Sequence, residues 1–334
     1  MSSREPDRQA AGRPAALLAV RMSPADVGRR VTVRHRLDEE LLTDVVGVLR
    51  SWQGGVLQVE RRSGEIADVP EADVVAAKVV APELSAEAMQ RVAEAGWPPY
   101  ETAALGDWTL RASGGLTGRA NSARVAGDPG LPLEQALEQV AAWYAERGLP
   151  PILQIPEPSR WDDDLDRLGW MAARRTTVRT VGTDELVRAA GHLPDRVVAR
   201  RSDVPDAALL ALVEPSLEPA GLARILTGPP VRVFVSLRDA EGALLAAGRA
   251  STAASPAGRW AGITSVAVAE LARRRGLGRA VMGELGRWAA ERGAGSTYLQ
   301  VMAQNAPAIA LYEQLGFVLH HTYCYRSPAP ISAR

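Results

Sequence analysis

The sequence repeats itself at an offset of 145 to 147 residues, and this constrains the fold more than any other feature. Trp143-Tyr144-Ala145-Glu146-Arg147-Gly148 is echoed by Trp288-Ala289-Ala290-Glu291-Arg292-Gly293, and Leu153-Gln154-Ile155 by Leu299-Gln300-Val301. Leu165-Asp166-Arg167-Leu168-Gly169-Trp170 is echoed by Tyr312-Glu313-Gln314-Leu315-Gly316-Phe317. Each copy reads helix, strand, helix closing at a glycine, strand. Three ordered matches at nearly constant spacing imply two related α/β units in tandem.

A chain of 334 residues with 46% apolar content has room for both units and something more. Residues 1–20 are polar and aperiodic, and are expected to be a disordered leader. From 21 to 81 the pattern changes to short β-branched segments, Val31–Val33, Asp44–Leu49, Val56–Val59, Ile66–Val69 and Val74–Val80, as in a small, strongly bent barrel. The linker Pro82-Glu83-Leu84-Ser85 follows, then the two units at 82–190 and 191–334, joined around Val181–Leu193. One cysteine, Cys324, excludes an internal disulfide and suits a reducing cytoplasm. The apolar run Ala15–Val20 is too short for a signal core, and nothing reaches membrane-spanning length. Net charge is zero, and residues 21–80 carry nine basic and ten acidic side chains, which argues against nucleic acid or an anionic membrane as partner. The four histidines have no metal-ligand spacing with Cys324 or one another, so no metal is expected.

The copies differ where chemistry would reside. In the second, the β-branched strand Val266-Ala267-Val268 feeds through Arg273-Arg274-Arg275-Gly276-Leu277-Gly278-Arg279-Ala280 into an amphipathic helix. A helix N-terminus has unpaired N–H groups and about half a positive charge, so this turn is a cradle for a pyrophosphate. Gly276 and Gly278 permit close approach, and the arginines add charge, at least one of them as ordinary solvated surface. Leu277, Val281, Leu285 and Trp288 fall on one helix face, as core. The first copy has Asp128-Pro129-Gly130-Leu131-Pro132-Leu133 there, with two prolines and no such turn, so it is expected to be a scaffold and a wall of the cleft. The glycine-rich loop Ser113–Gly118 reads as a hairpin or substrate-facing turn, with Arg119 and Asn121 beside it left unassigned.

After an opening strand at Val197–Arg200 the second unit runs α-α-β-β-β-α-β-α-β. With Arg273-x-x-Gly276-x-Gly278, Asn305 and Ala310-Leu311-Tyr312-x-x-Leu315-Gly316-Phe317, residues 195 to 325 resemble the Gcn5-related N-acetyltransferase (GNAT) family. The fold class implied is α/β (α+β): two tandem GNAT-like mixed sheets flanked by helices, preceded by a small all-β domain resembling the SH3-like barrels found ahead of some bacterial acetyltransferases. The resemblance implies acetyl-CoA as co-substrate, lying against the splayed strand Ser265–Val268 with an N–H near Val266 on the thioester oxygen. It also implies direct attack by an amine and Tyr312 as general acid for the thiolate, against which stands a packing role beside Ala308, Leu311 and Leu315. Asn305 matches a coenzyme-contacting position and also suits a helix N-cap.

Family members often carry a glutamate on the strand before the cradle, but Trp260–Val266 has no carboxylate. Glu214 and Glu218, at the joint of the preceding helices, are the candidate bases, unless they are simply solvated helix-end glutamates. The acceptor stays open between a small-molecule amine, as in the mycothiol synthase family with its similar tandem architecture, and a protein amine. The missing carboxylate also admits a non-catalytic acetyl-CoA sensor, with the N-terminal barrel docking a protein partner.

Overall fold

The computed structural model describes residues 20–38, 41–61, 64–79 and 84–330. The leader expected at 1–20 lies outside them up to residue 19, as do Pro82 and Glu83 of the expected linker. Two units are separated near Glu83.

The first is one six-stranded sheet: β1 (Val20–Arg21), β2 (Arg30–Arg36), β3 (Leu42–Gln53), β4 (Val56–Glu60), β5 (Ile66–Pro70) and β6 (Val74–Val79), in the order β1-β6-β2-β3-β4-β5. All pairings are antiparallel except the two-residue β1–β6 contact. Alternate residues of the strands point inward, and Val31, Val33, Val45, Leu49, Leu57, Val59 and Val69 form its core. Gly47 has no room for a side chain, since a Cβ would meet the Glu60 carbonyl oxygen at 2.1 Å.

The second unit holds α1 (Ala86–Ala95), β7 (Glu101–Leu105), β8 (Trp108–Ala112), β9 (Ala123–Arg124), α2 (Leu133–Ala145), β10 (Leu153–Glu157), α3 (Asp162–Arg167) and β11 (Met171–Gly182). It continues through α4 (Thr183–Ala190), β12 (Val198–Ser202), α5 (Ala207–Val213), α6 (Pro219–Thr227), β13 (Arg232–Arg238), β14 (Leu244–Ser255) and β15 (Gly258–Val268). It ends with α7 (Leu277–Glu291), β16 (Ser296–Met302), α8 (Ala306–Gln314) and β17 (Val318–Ser327). The segment read from sequence as a junction is the amphipathic helix α4, which packs Leu186 and Ala190 into the core beside α7.

The strands form one sheet of eleven, ordered β12-β13-β14-β15-β16-β11-β17-β10-β9-β8-β7. The repeat explains the order. The last strand of each copy is exchanged: β11 pairs antiparallel with β16 from Thr176–Met302 to Gly182–Ser296, and β17 with β10 from Leu153–Arg326 to Glu157–Thr322. β11 and β17 also pair with each other, joining the halves into one continuous ladder. Equivalent strands present equivalent edges, so the exchange leaves no open strand edge between the copies.

One face of the second half carries α7 and α4 over Val235, Ala250, Ile263 and Leu299. The other carries α5 and α6, whose Leu209, Leu210, Leu222 and Ile225 pack with Trp97, Ala120 and Phe234. Trp97 and Ala120 belong to the first copy, so the loop after β8 helps to wall the second copy's open face.

Candidate active site

The site begins where two strands part. The parallel ladder of β15 and β16 runs from Trp260 opposite Ser296 to Ile263 opposite Leu299 and stops, although the strands continue to Val268 and Met302. On its other side β15 stays paired with β14, but with one extra residue. Ala247 faces Ala267 and Arg249 faces Thr264, so Gly248 stands against both Ser265 and Val266. Ser265 adopts φ 54°, in the left-handed region. A bulge bends the strand that carries it, and this one turns Ser265–Val268 away from β16. The edge of Val266, Ala267 and Val268 that faces β16 is left without a ladder partner, the feature an extended ligand can use for main-chain hydrogen bonds.

The cradle follows directly. A 3₁₀ turn over Glu270–Ala272 leads to Arg274 (φ 60°) and Gly276 (φ 74°), both left-handed, with α7 starting at Leu277. Left-handed residues spaced this way point successive N–H groups into one concavity. The amides of Arg274, Arg275, Gly276, Leu277, Gly278 and Arg279 have no acceptor among the described residues, and the next, Ala280, donates to the Gly276 carbonyl at 3.0 Å. Ala280 is therefore a framework residue, contrary to the sequence expectation: its amide is used within the helix and its side chain is buried. Leu277 is likewise buried, leaving only its amide for the cradle. Arg273, Arg274 and Arg275 are exposed. Arg279 points elsewhere, donating to the Ala189 carbonyl at 2.7 Å and to Gln314 Oε1 at 3.0 Å, so its side chain clamps α7 to α4 and α8. Gly278 faces α8, where a Cβ would come within 3.1 Å of Leu311 Cδ2.

These features fit a coenzyme pyrophosphate, and the corresponding place in the first copy does not. There the Gly127 amide donates to Glu87 Oε1 at 3.3 Å, Asp128 N to Asp107 Oδ2 at 2.9 Å and Gly130 N to Asp128 Oδ1 at 2.8 Å. Carboxylates of the chain itself occupy these three amides, and Pro129 and Pro132 have none to offer.

Tyr312 is half-buried on α8, its ring 5.8 Å from that of Phe317 and packed on the core under α7. Burial raises its pKa above the ordinary phenol value, so it is a neutral O–H donor at physiological pH. Asn305 is exposed and caps α8, its Oδ1 accepting from Ala308 N at 3.2 Å. The two candidate bases part company. Glu218 caps α6 with both carboxylate oxygens, accepting from Ala220 N at 2.8 Å and Gly221 N at 2.6 Å, which lowers its pKa. Glu214, just past the end of α5, is half-buried; desolvation raises its pKa, and the charge of Arg119 pulls it part of the way back. A carboxylate shifted upward by burial suits a general base better than one committed to a cap.

Several residues here carry no sequence signal. Arg249 is wholly buried beside the bulge, and its hydrogen bonds among the described residues all go to neutral oxygens: Leu226 O at 2.8 Å, Gly96 O at 3.1 Å and Thr264 Oγ1 at 3.1 Å. Burial drops its pKa to about 9. Tyr298 crosses Gly262 so closely that a Cβ there would lie 2.3 Å from its hydroxyl. Asn121 proves to be the staple of the glycine-rich loop, accepting from Ser113 N at 2.7 Å and Gly115 N at 2.8 Å and donating to Thr117 O at 2.7 Å. Among the described residues there is no group of three or more His, Cys, Asp or Glu side chains able to hold a metal, and no helix long and apolar enough to cross a membrane.

Known proteins share this organisation. Residues 86–326 match the family described as "Probable histone acetyltransferase Rv0428c C-terminal", and residues 25–78 match "Rv0428c N-terminal Sm-like domain". The SH3-like expectation for the first unit is thus refined to an Sm-like domain. The "Probable histone acetyltransferase Rv0428c" of Mycobacterium tuberculosis is 32% identical over 325 residues, spanning 91% of this chain and 95% of its own. The "Uncharacterized N-acetyltransferase YobR" of Bacillus subtilis is 29% identical over 266 residues, 70% of this chain and 96% of its own. Among solved structures, a GCN5-related N-acetyltransferase from Kribbella flavida shares the fold with a TM-score of 0.57 at 18% identity, covering 74% of this chain and 97% of that one. The parted strands and amide cradle therefore belong to an N-acetyltransferase of the GNAT family, and the chain is a member of its Rv0428c-type branch with an Sm-like N-terminal domain.

Proposed function

We propose that the protein transfers the acetyl group of acetyl-CoA to a primary amine by direct attack, at one site between β15, β16 and the start of α7. The observation that carries this reading is the run of six amides without acceptors among the described residues, one 3₁₀ turn beyond the bulged, half-unpaired strand. The amides of Arg274 to Arg279 hold the pyrophosphate, with Arg273, Arg274 and Arg275 adding charge from the rim. The free edge of Val266 to Val268 binds the pantetheine arm, and an amide near Val266 polarises the thioester carbonyl. Acetyl-CoA supplies the activated acyl group.

Glu214 takes the proton that makes the incoming ammonium a nucleophile, and its raised pKa brings its basicity closer to that task. Tyr312 returns a proton to the departing sulfur, its buried O–H remaining protonated until then. Asn305 orders the start of α8 and thereby Tyr312 on the same helix. The first copy of the repeat, 82–190, serves as scaffold and cleft wall, within a cytoplasmic protein.

The name of the mycobacterial relative makes a protein lysine the competing acceptor class. The test is release of the coenzyme thiol with purified protein across a panel of small amines and lysine peptides, with acetylated product identified by mass. Saturable, amine-dependent release supports the reading, whereas tight acetyl-CoA binding without release for any amine would replace it with a coenzyme sensor.

A further inference from the structure

Among the side chains that the coenzyme site does not use, Arg119 stands out. It lies on the loop after β8, half-buried, with its guanidinium 4.3 Å from the centre of the Trp97 ring. Stacking on an indole fixes the plane of a guanidinium while leaving its N–H fork free. No carboxylate lies within ion-pair distance of Arg119 among the described residues; Glu214 feels its charge at longer range. The loop is rigid. Asn121 staples it, Thr117 Oγ1 accepts from Trp97 Nε1 at 3.1 Å, and Ala120 packs with Leu209, Leu210 and Leu222 of α5 and α6. Gly118 lies against Tyr325, to which a Cβ would come within 3.3 Å.

Arg249 deepens the positive character. Its guanidinium is 5.7 Å from the same Trp97 ring, on the side where Thr264 enters the bulge, and none of its partners is charged. Two cations thus share one aromatic ring beside the bulged strand, Arg249 fully buried and Arg119 half-buried, with Glu214 near enough to feel the charge of Arg119. A lysine-rich tail approaching here would meet the half-buried Arg119 and feel the field of the fully buried Arg249. An amine with its own negative group meets a fixed, unpaired fork for that group and a carboxylate for its ammonium.

We infer that the acceptor is a small amine bearing an anionic group, a carboxylate or a phosphate, which the Arg119 guanidinium binds where it stacks on Trp97. This rests on the acetyl-transfer reading above and names its substrate class. Arg119 is the specificity residue, and the buried charge of Arg249 biases the cleft in the same direction.

The full-length protein with saturating acetyl-CoA is tested on matched probes: β-alanine against β-alaninamide, phosphoethanolamine against ethanolamine, and a lysine-rich peptide. The inference expects kcat/KM about tenfold or more higher for the anionic member of at least one pair, as a charge-assisted contact provides. Which pair responds separates carboxylate from phosphate. Arg119→Gln should remove the preference through KM with acetyl-CoA affinity unchanged, and Arg119→Glu should reverse it. Preference for the neutral amine or the lysine peptide, or a preference untouched by Arg119→Gln, overturns the inference while leaving acetyl transfer standing. If no amine is turned over, acetyl transfer itself fails. Calorimetric binding of the anionic probes, lost in Arg119→Gln, then supports the anion site, and no binding overturns it too.

Discussion

Gly276→Ala separates the geometry of the cradle from the packing around it. Gly276 sits at φ 74°, and a Cβ there meets nothing within 4 Å, so the new methyl group brings no clash. Its cost is the left-handed backbone alone, about 1–2 kcal/mol for an L residue. In a unit of this size each kcal/mol lowers Tm by roughly 2–4 °C, so the melt should shift by only a few degrees. The chain can relieve the strain by rotating residue 276 out of the left-handed region, which turns the amides of Leu277 and Gly278 away from the common centre. Hydrogen bonds to a charged group contribute about 1.5–3 kcal/mol each, so losing one weakens acetyl-CoA about tenfold or more. Calorimetric titration alongside a thermal melt reads both effects. Gly278→Ala is the control for packing, because its methyl presses on Leu311 Cδ2 at 3.1 Å and should disturb the seating of α8. A folded Gly276→Ala protein that binds acetyl-CoA within twofold of wild type would refute the assignment of these amides.

Three further variants separate the roles of neighbouring side chains. Tyr312→Phe keeps the ring packing on Phe317 but removes the proton, so kcat should fall about tenfold or more with acetyl-CoA affinity unchanged; equal turnover would reduce Tyr312 to a packing residue. Burial raises the pKa of Glu214, so its ionisation opposes folding: the penalty sets in as pH rises through the ordinary carboxylate range and is complete above the folded pKa. Glu214→Gln should therefore match wild type in acid, melt higher at neutral pH and lose the acidic limb of the activity profile; unchanged activity would exclude it as the base. Glu218 has the opposite sign, its capping bonds contributing stability above the usual carboxylate pKa and losing it as pH falls through the lowered folded value. Glu218→Ala should melt lower than wild type at pH 7 and keep the wild-type pH–rate shape, and a displaced acidic limb would restore it as a base candidate.

The elements that could be read from the sequence were those set by local pattern. Gly276 and Gly278 after a β-branched strand mark the cradle, and Pro129 with Pro132 mark its loss in the first copy, because those residue types act on their own backbone. The repeat disclosed two units but not the exchange of β11 and β17, since identical edges leave the pairing partner unspecified by either strand. The bulge at Ser265 was silent for a related reason. A serine carries no left-handed preference, and only the surrounding ladder, with Gly248 opposite, fixes it there. Arg279 resembled its exposed neighbours Arg273 to Arg275 in sequence, and its clamp on Ala189 exists only once α4 has packed on α7. Arg249 and Trp97, 152 positions apart, meet through the fold alone.

Amide hydrogen exchange with and without acetyl-CoA reads which backbone groups meet the coenzyme. Protection confined to Ser265–Val268 and Arg274–Arg279, with residues 127–133 unchanged, is the predicted result. Equal protection in both copies, or none at the start of α7, would contradict a single acetyl-CoA site built on the bulged strand and its cradle.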